Sequence, residues 1–460
     1  MKKLIGTTSL PEMWARSRTF RRVLVATLIF AVLRLLMQFF LLAGTVYEGE
    51  TEDGFFPPDL QVYIDAADHF RAGEDLYLKG SLAHLESHYT YAPSFAVLAV
   101  PLLWLPPAVV AWGDTLFHLF AYIVLYFWWN RIFRKLELHR AREGLAWLLP
   151  VWLIFSAFWG DLNYLNIYVP MALLGTLLIE AILDENLGWS VLWLSIVLQI
   201  KPQWAFAAAV PLLLGHYRFF WKLAASTLAA FVAIDGVTML VMGPAYGWQQ
   251  HIDYVRLLER LSRDFPWREF SSGFLGYNHS ITQTVIYLAG NSAASLRLAG
   301  VIKLAILLPL VAVALRALRH PRRGDSPIEA QQLGLEWAFA LYMGAFIWLD
   351  MVWELTLGIA VFTYLIVTVE GSRIKTWLWA VFMVYALADL WQMVSYLALG
   401  DAALIQDAYV VTDPNMYIPV VMIVILSFYA LLVSRLWAAT APAIEESTAR
   451  QAVETVGASR

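Results

Sequence analysis

Apolar segments close to membrane-spanning length recur along most of this chain. The first runs from about Val23 to Ala43, near the ~20 residues that a helix needs to cross a bilayer. Charged residues make up only 15% of the 460-residue sequence, whereas about 25% is usual in soluble domains. These two features predict an all-α polytopic membrane protein.

Arginines and lysines cluster before the first apolar segment and after several later ones, for example at 131–142 and 316–323. Such clusters usually remain in the cytoplasm, so both termini are expected there. The chain then divides into a basic cytoplasmic amino terminus (1–22), a transmembrane domain (23–438) and a disordered cytoplasmic tail (439–460).

About twelve spans are expected, with two large polar regions outside the membrane at about 45–106 and 244–294. The apolar segment Pro93–Leu105 is too short to cross a bilayer, so we expect it to lie at the interface or to re-enter the membrane. The second polar region should contain an amphipathic helix, Trp248–Leu261. After Val23–Ala43, the expected spans lie at about 108–129, 144–159, 168–184, 189–200, 203–216, a segment ending near 243, 295–317, 335–349, 354–369, 376–398 and 415–437.

Composition and missing motifs exclude several kinds of site. Without cysteine, the chain has no disulfide, thiolate metal ligand or cysteine nucleophile. A net charge of −4 argues against nucleic acid as a partner. Neither an HExxH zinc motif nor a glycine-rich nucleotide loop occurs. We therefore expect no metal ion and no other cofactor. The alternative is a divalent ion held by the acids and histidines of the first polar region.

Ionisable side chains concentrate in the first polar region. The stretch Pro57–Pro93 holds six acids and three histidines. A second unusual site is Lys201, which interrupts an apolar run directly before Pro202. A charge next to a helix-breaking proline is typical of a polar cavity in a membrane protein.

Five polar-containing stretches follow one another along the first 300 residues or so: Asp59–Tyr77, Tyr89–Pro106, Gly160–Gly175, Ile200–Phe206 and Gly276–Ile281. In this order they resemble glycosyltransferase family 87 of the GT-C superfamily. The resemblance implies a GT-C-type helix bundle with short interfacial helices in its first extracytoplasmic loop. It also implies inverting transfer of a sugar, above all mannose, from polyprenyl phosphate to a hydroxyl of a glycolipid or cell-envelope glycan. The reaction would take place on the extracytoplasmic face of the cell membrane.

The resemblance suggests Asp59 as the general base that takes the acceptor proton. Asp59 could instead cap a helix, because aspartate is a favoured N-cap residue. Lys201 is the expected contact of the donor phosphate, and Lys303 and Arg260 are further candidates. Lys201 could also extend to the membrane interface, and Arg260 could bind lipid headgroups.

Sugar or acceptor contacts are expected from polar and aromatic residues of the outer regions, which orient hydroxyls or stack on a pyranose face. These candidates are His69, Tyr63, Tyr91, Gln203, Asn278 and His279.

The sequence departs from the family pattern in Trp348–Thr356. Trp353 matches, but Leu355 stands where members often have histidine, which leaves the sugar and the acceptor open. An enzyme that moves another group, such as a phospho-alcohol or aminoarabinose, is a further alternative. The alternative outside enzymes is a secondary transporter or lipid flippase. Its charge pathway would comprise Arg34, Asp235, Lys303 and Asp389.

Overall fold

The computed structural model describes residues 10–47, 56–272, 278–320, 326–352, 355–399 and 414–441. Every regular element within these ranges is helical. The α-helices, numbered in chain order, are α1 (Leu10–Arg16), α2 (Arg18–Tyr47), α3 (Pro58–Ala72), α4 (Pro93–Ala99), α5 (Pro107–Lys135), α6 (His139–Trp147), α7 (Leu149–Leu153), α8 (Ser156–Tyr164), α9 (Tyr168–Leu183), α10 (Leu187–Ile200), α11 (Val210–Leu213), α12 (Tyr217–Met242), α13 (Pro244–Asp264), α14 (Ile281–Ala289), α15 (Ala293–Arg319), α16 (Pro327–Trp348), α17 (Gly358–Thr368), α18 (Ser372–Ala386), α19 (Ala388–Leu399) and α20 (Pro414–Ala439).

Among the described residues, five helices are long and apolar enough to cross a membrane: α2, α5, α12, α15 and α20. A sixth span results if α6 and the following segment Leu149–Tyr164, bent by 53°, are counted together. The chain is thus a multi-pass membrane protein, but the expected twelve spans are not confirmed. Helices α9, α10 and α17 are apolar but shorter.

Three of the expected spans are not continuous α-helices. The segment predicted at 144–159 is divided among α6, α7 and α8. The segment predicted at 203–216 is a 3₁₀-helix, Pro202–Ala209, followed by the short helix α11. Proline lacks the amide hydrogen that an α-helix needs in its interior, and Pro202 and Pro211 each begin a separate element. The span predicted at 376–398 is divided into α18 and α19.

Helix α9 lies at the centre of the bundle and packs against α5, α10 and α16. Almost all of its side chains are buried. Gly175 of α9 admits the indole of Trp204, since a Cβ at this glycine would lie 3.1 Å from that ring. Close approach of this kind is typical of small residues between membrane helices.

The two polar regions of the sequence pack against each other. The first contains α3, α4 and two 3₁₀-helices, Leu85–Ser87 and Val100–Trp104. The second contains α13, which confirms the expected helix at 248–261. Gln250 on α13 accepts a hydrogen bond from the Leu76 amide at 3.0 Å. This packing brings residues of the first polar region to one end of the bundle.

Several parts of the sequence analysis lie outside the described residues. They include residues 1–9 of the amino terminus, 48–55 of the first polar region, 321–323 of the second basic cluster, Gly276 and Tyr277 of the stretch Gly276–Ile281, Trp353, and the tail from residue 442 onward.

Candidate active site

Asp59 lies in the first turn of α3 and does not cap it. The N-cap is Pro57, and no side chain makes a capping hydrogen bond. The expectation of Asp59 as an N-cap is therefore wrong, because the two prolines before it already begin the helix. The carboxylate is partly buried. It accepts a hydrogen bond from the Asn166 side chain and interacts electrostatically with Lys201.

Lys201 is buried at the end of α10, with 7% of its surface exposed. Its ammonium lies 4.2 Å from the ring centroid of Tyr168 and 4.8 Å from that of Tyr91. Both distances fall within the range of cation–π attraction. Lys201 therefore points into the protein.

The environment of Asp59 tunes its basicity. Burial raises the pKa of this carboxyl to about 6, and the Lys201 ammonium and the Asn166 hydrogen bond limit the rise. A carboxylate with a pKa near 6 is ionised at neutral pH and takes up a proton more readily than an ordinary aspartate.

This pKa predicts the pH dependence of the enzyme if Asp59 acts as the base. The unprotonated form is required, so the reaction rate should fall as pH decreases through about 6, approaching tenfold per pH unit below it. Initial rates between pH 4.5 and 8 test this. A rate that is constant across pH 6 would contradict it.

Tyr63 and Tyr91 lie against the Asp59–Lys201 pair. Their hydroxyls are 3.0 Å apart, and their rings meet edge to face with centroids 5.2 Å apart. Both side chains are buried. The structure thus brings together Asp59, Lys201, Tyr63 and Tyr91, which lie in three separate stretches of the sequence.

The turn between α8 and α9 contributes residues that the sequence analysis did not select. Asp161 is buried, and its two carboxylate oxygens accept from the amides of Tyr168 at 3.1 Å and Val169 at 2.7 Å. His118 of α5 lies 3.6 Å from this carboxylate. The signal was the polar series Asp161, Asn163 and Asn166 inside an apolar sequence.

A second polar cluster surrounds Asp350. The Asn278 side chain donates to the Asp350 carbonyl at 2.7 Å and accepts from the Val352 amide at 3.0 Å. The His279 amide donates to the Val352 carbonyl at 2.7 Å. Lys303 binds the Asp350 carboxylate and donates to the Trp348 carbonyl at 3.0 Å. These residues hold the backbone of 348–352.

The two clusters are joined through the segment that departs from the family pattern. The Thr356 hydroxyl donates to the Tyr168 carbonyl at 2.9 Å, and the Tyr168 ring contacts the Lys201 ammonium. Leu355, where a histidine was expected by resemblance, is fully buried. His279 of the second cluster is also buried, and this lowers the pKa of its imidazole to about 3, so the ring is neutral.

A comparison of the sequence with models of known protein families identifies the family to which these residues belong. The model of glycosyltransferase family 87 matches residues 89–335, more than half of the chain. The chain belongs to glycosyltransferase family 87. It is therefore a membrane glycosyltransferase that acts on a sugar donor and an acceptor. No curated protein and no solved structure matches the chain.

The match includes Lys201, Asn278, His279 and Lys303, whereas Asp59 precedes it. The assignment of Asp59 as a site residue of this family 87 member therefore depends on its interactions with Lys201 and Asn166.

Among the contacts described, the remaining candidates, His69, Arg260 and Gln203, do not touch Asp59 or Lys201. His69 is half-exposed, 3.9 Å from Glu74. Arg260 donates to the Lys79 carbonyl at 3.2 Å and pairs with Asp264. Gln203 is partly buried in the 3₁₀-helix after Lys201. Their roles in binding donor or acceptor stay predictions.

The charged residues of the transporter alternative belong to three separate networks. Arg34 pairs with Asp389 at 3.2 Å. Asp235 accepts from Gln199 at 2.9 Å, and Lys303 binds Asp350. Among the described residues, these contacts form three separate networks within a family 87 glycosyltransferase and no continuous charge pathway.

Among the described residues, no group of three or more His, Asp or Glu side chains could hold a metal ion.

Proposed function

We propose that this glycosyltransferase moves a sugar from a polyprenyl-phosphate donor to a hydroxyl of a glycolipid or cell-envelope glycan, with inversion at the anomeric carbon. The observation that carries the proposal is the electrostatic interaction of Asp59 with the buried Lys201. A carboxylate with a pKa near 6 lies beside a buried ammonium at the end of an apolar helix.

The pair matches the two charge changes of the reaction. Asp59 takes the proton of the acceptor hydroxyl as its oxygen bonds to the anomeric carbon. The bond between that carbon and the phosphate oxygen breaks, and its electrons remain on the phosphate. Lys201 then stabilises the negative charge of the departing phosphate.

A single displacement agrees with the carboxylates of this site. A double displacement requires a carboxylate that is free to attack the sugar. Both oxygens of Asp161 accept from backbone amides, so this group caps the beginning of α9. Asp59 then serves as base, and one displacement inverts the anomeric carbon.

A lipid-linked donor fits the location of Lys201. The lysine lies where the apolar helix α10 ends, and a polyprenyl chain lying in the membrane would carry its phosphate to such a boundary. The positive-inside pattern supports an extracytoplasmic location for this end of the bundle, with both termini in the cytoplasm and residues 23–438 as the proposed transmembrane domain. Mannose as the sugar rests on the resemblance to polyprenyl-phosphate-mannose-dependent enzymes.

A transfer assay tests the proposal. Purified protein in liposomes is given short-chain polyprenyl-phosphate-[¹⁴C]mannose and native membrane lipids, and labelled lipid products are separated by chromatography. We expect label in glycolipid from this donor and none from GDP-[¹⁴C]mannose in a parallel reaction. Transfer from the nucleotide sugar would refute the proposed donor class. If label were transferred only from a polyprenyl-phosphate-linked pentose, the assignment of mannose as the sugar would be refuted. The assignment of polyprenyl phosphate as the donor carrier would be retained.

A further inference from the structure

The turn after α8 contains a residue whose contacts the chemistry above does not use. Asn166 follows Leu165, which ends α8 in the left-handed region with φ of 49°. The Asn166 side chain is buried, with 8% of its surface exposed.

The side-chain amide of Asn166 has one possible orientation. Its oxygen accepts from the Ile167 amide at 2.7 Å and from the Tyr63 hydroxyl at 3.3 Å. The backbone amide of Ile167 can only donate, so Oδ1 must face it. The nitrogen Nδ2 is then the atom that hydrogen-bonds to Asp59, and it can only donate.

The backbone of Asn166 is fixed on both sides. Its amide donates to the Asp161 carbonyl at 3.1 Å, and its carbonyl faces Nε2 of the buried His118. Asp161 in turn binds the first amides of α9. Asn166 therefore presents a rigidly held N–H donor to Asp59.

We propose that Asn166 is a positioning residue for Asp59. Its Nδ2 donates to one carboxylate oxygen, favours the ionised group and leaves the other oxygen for the acceptor hydroxyl. This inference rests on the proposed function, because it takes Asp59 to be the base.

The role has a measurable consequence. A donor to a carboxylate stabilises its charged form and lowers the pKa. Without that donor, Lys201 still opposes the burial of Asp59, whereas the nearby Asp161 carboxylate disfavours a second negative charge, so the pKa of Asp59 rises. The acidic limb of the transfer rate then moves to higher pH.

Asn166→Asp is the most informative variant. Aspartate has the shape of asparagine and keeps an oxygen for the Ile167 amide and the Tyr63 hydroxyl, so the turn is preserved. It removes the donor and adds a second carboxylate beside Asp59, which raises the apparent pKa of the pair. We expect the limb of kcat/KM to move upward from about 6 by more than one pH unit.

Asn166→Ala removes the donor without adding charge. Since a hydrogen bond to a charged group contributes roughly 1.4 kcal/mol or more, the limb should shift upward by about one pH unit. Tryptophan fluorescence during thermal unfolding identifies the variants that are folded. Either folded variant is sufficient for the test.

Asn163→Asp is the matched control. It makes the same change three residues earlier, at the end of α8 before the same turn, but Asn163 accepts a hydrogen bond from Arg34 and has no contact with Asp59 among those described. Its limb should stay where the wild type has it.

The outcomes separate the two proposals. Asn166 variants with an unmoved limb, in an enzyme that needs Asp59, overturn the positioning role and leave the function intact. An equal shift in Asn163→Asp also overturns it, because the effect is then general to the turn. Full transfer by Asp59→Asn overturns the assignment of the base itself.

Discussion

Asp59→Asn is expected to lower kcat for sugar transfer by about 10²- to 10⁴-fold, the usual contribution of a general base. The carboxamide keeps the size of the side chain but cannot take the acceptor proton at neutral pH. The Asp59 carboxylate interacts with the side chains of Lys201 and Asn166. Neither an ammonium nor a carboxamide can accept the proton of the acceptor hydroxyl. Single-turnover transfer with saturating donor measures the loss.

Asp68→Asn is the control for this substitution. Asp68 lies on the same helix, α3, but is exposed to solvent, and its loss should change the rate less than twofold. The donor should still bind to Asp59→Asn, because phosphate binding is assigned to Lys201. Unreduced transfer by Asp59→Asn would show that another carboxylate is the base, and Asp65→Asn would then be the next variant to measure.

The sequence predicted the class of fold well and its helix lengths poorly. Hydropathy detects apolar segments, and most of the predicted spans are helical in the structure. It does not reveal how tertiary packing divides them. Pro202 interrupts the predicted pair of spans around Lys201 and produces a 3₁₀-helix, since a bundle interior can satisfy the backbone groups that lipid cannot.

The sequence was informative about single site residues and uninformative about their partners. A lysine before a proline in an apolar run indicated Lys201, but its packing against Tyr91 and Tyr168 depends on three segments meeting. Asn166 was visible only as a polar residue in a turn. Its role needs the orientation of its amide, which Ile167 and Tyr63 determine.

Asn278 is the reverse case, a residue to which the sequence assigned a role but whose contacts it could not predict. A polar residue in an outer turn suggested a sugar contact, and that role stays a prediction. In the structure its amide holds the backbone of Asp350 and Val352. An asparagine that binds a sugar and one that binds a backbone look alike in sequence, because both uses require the same donor and acceptor. Only the three-dimensional partner distinguishes them.

Lys201→Met is expected to lower kcat by about 10²- to 10³-fold, the loss typical when one electrostatic contact to a developing charge is removed. Methionine keeps the unbranched stem between the rings of Tyr91 and Tyr168 and removes only the ammonium. The same assay, with donor concentration varied, separates kcat from KM.

The control is Lys222→Met on α12, where the lysine is exposed and a rate within twofold of wild type is expected.

Lys201→Met should also move the acidic limb of the pH–rate profile to higher pH, because the ammonium lowers the pKa of Asp59. If the contact between Lys201 and the phosphate were equally strong before and during bond cleavage, its removal in Lys201→Met would raise KM and leave kcat unchanged. That result would make Lys201 an anchor for the donor and leave the departing phosphate without an assigned partner. A fall in kcat with little change in KM is what the buried position predicts, because a charge removed from water acts most strongly on the negative charge that bond cleavage creates.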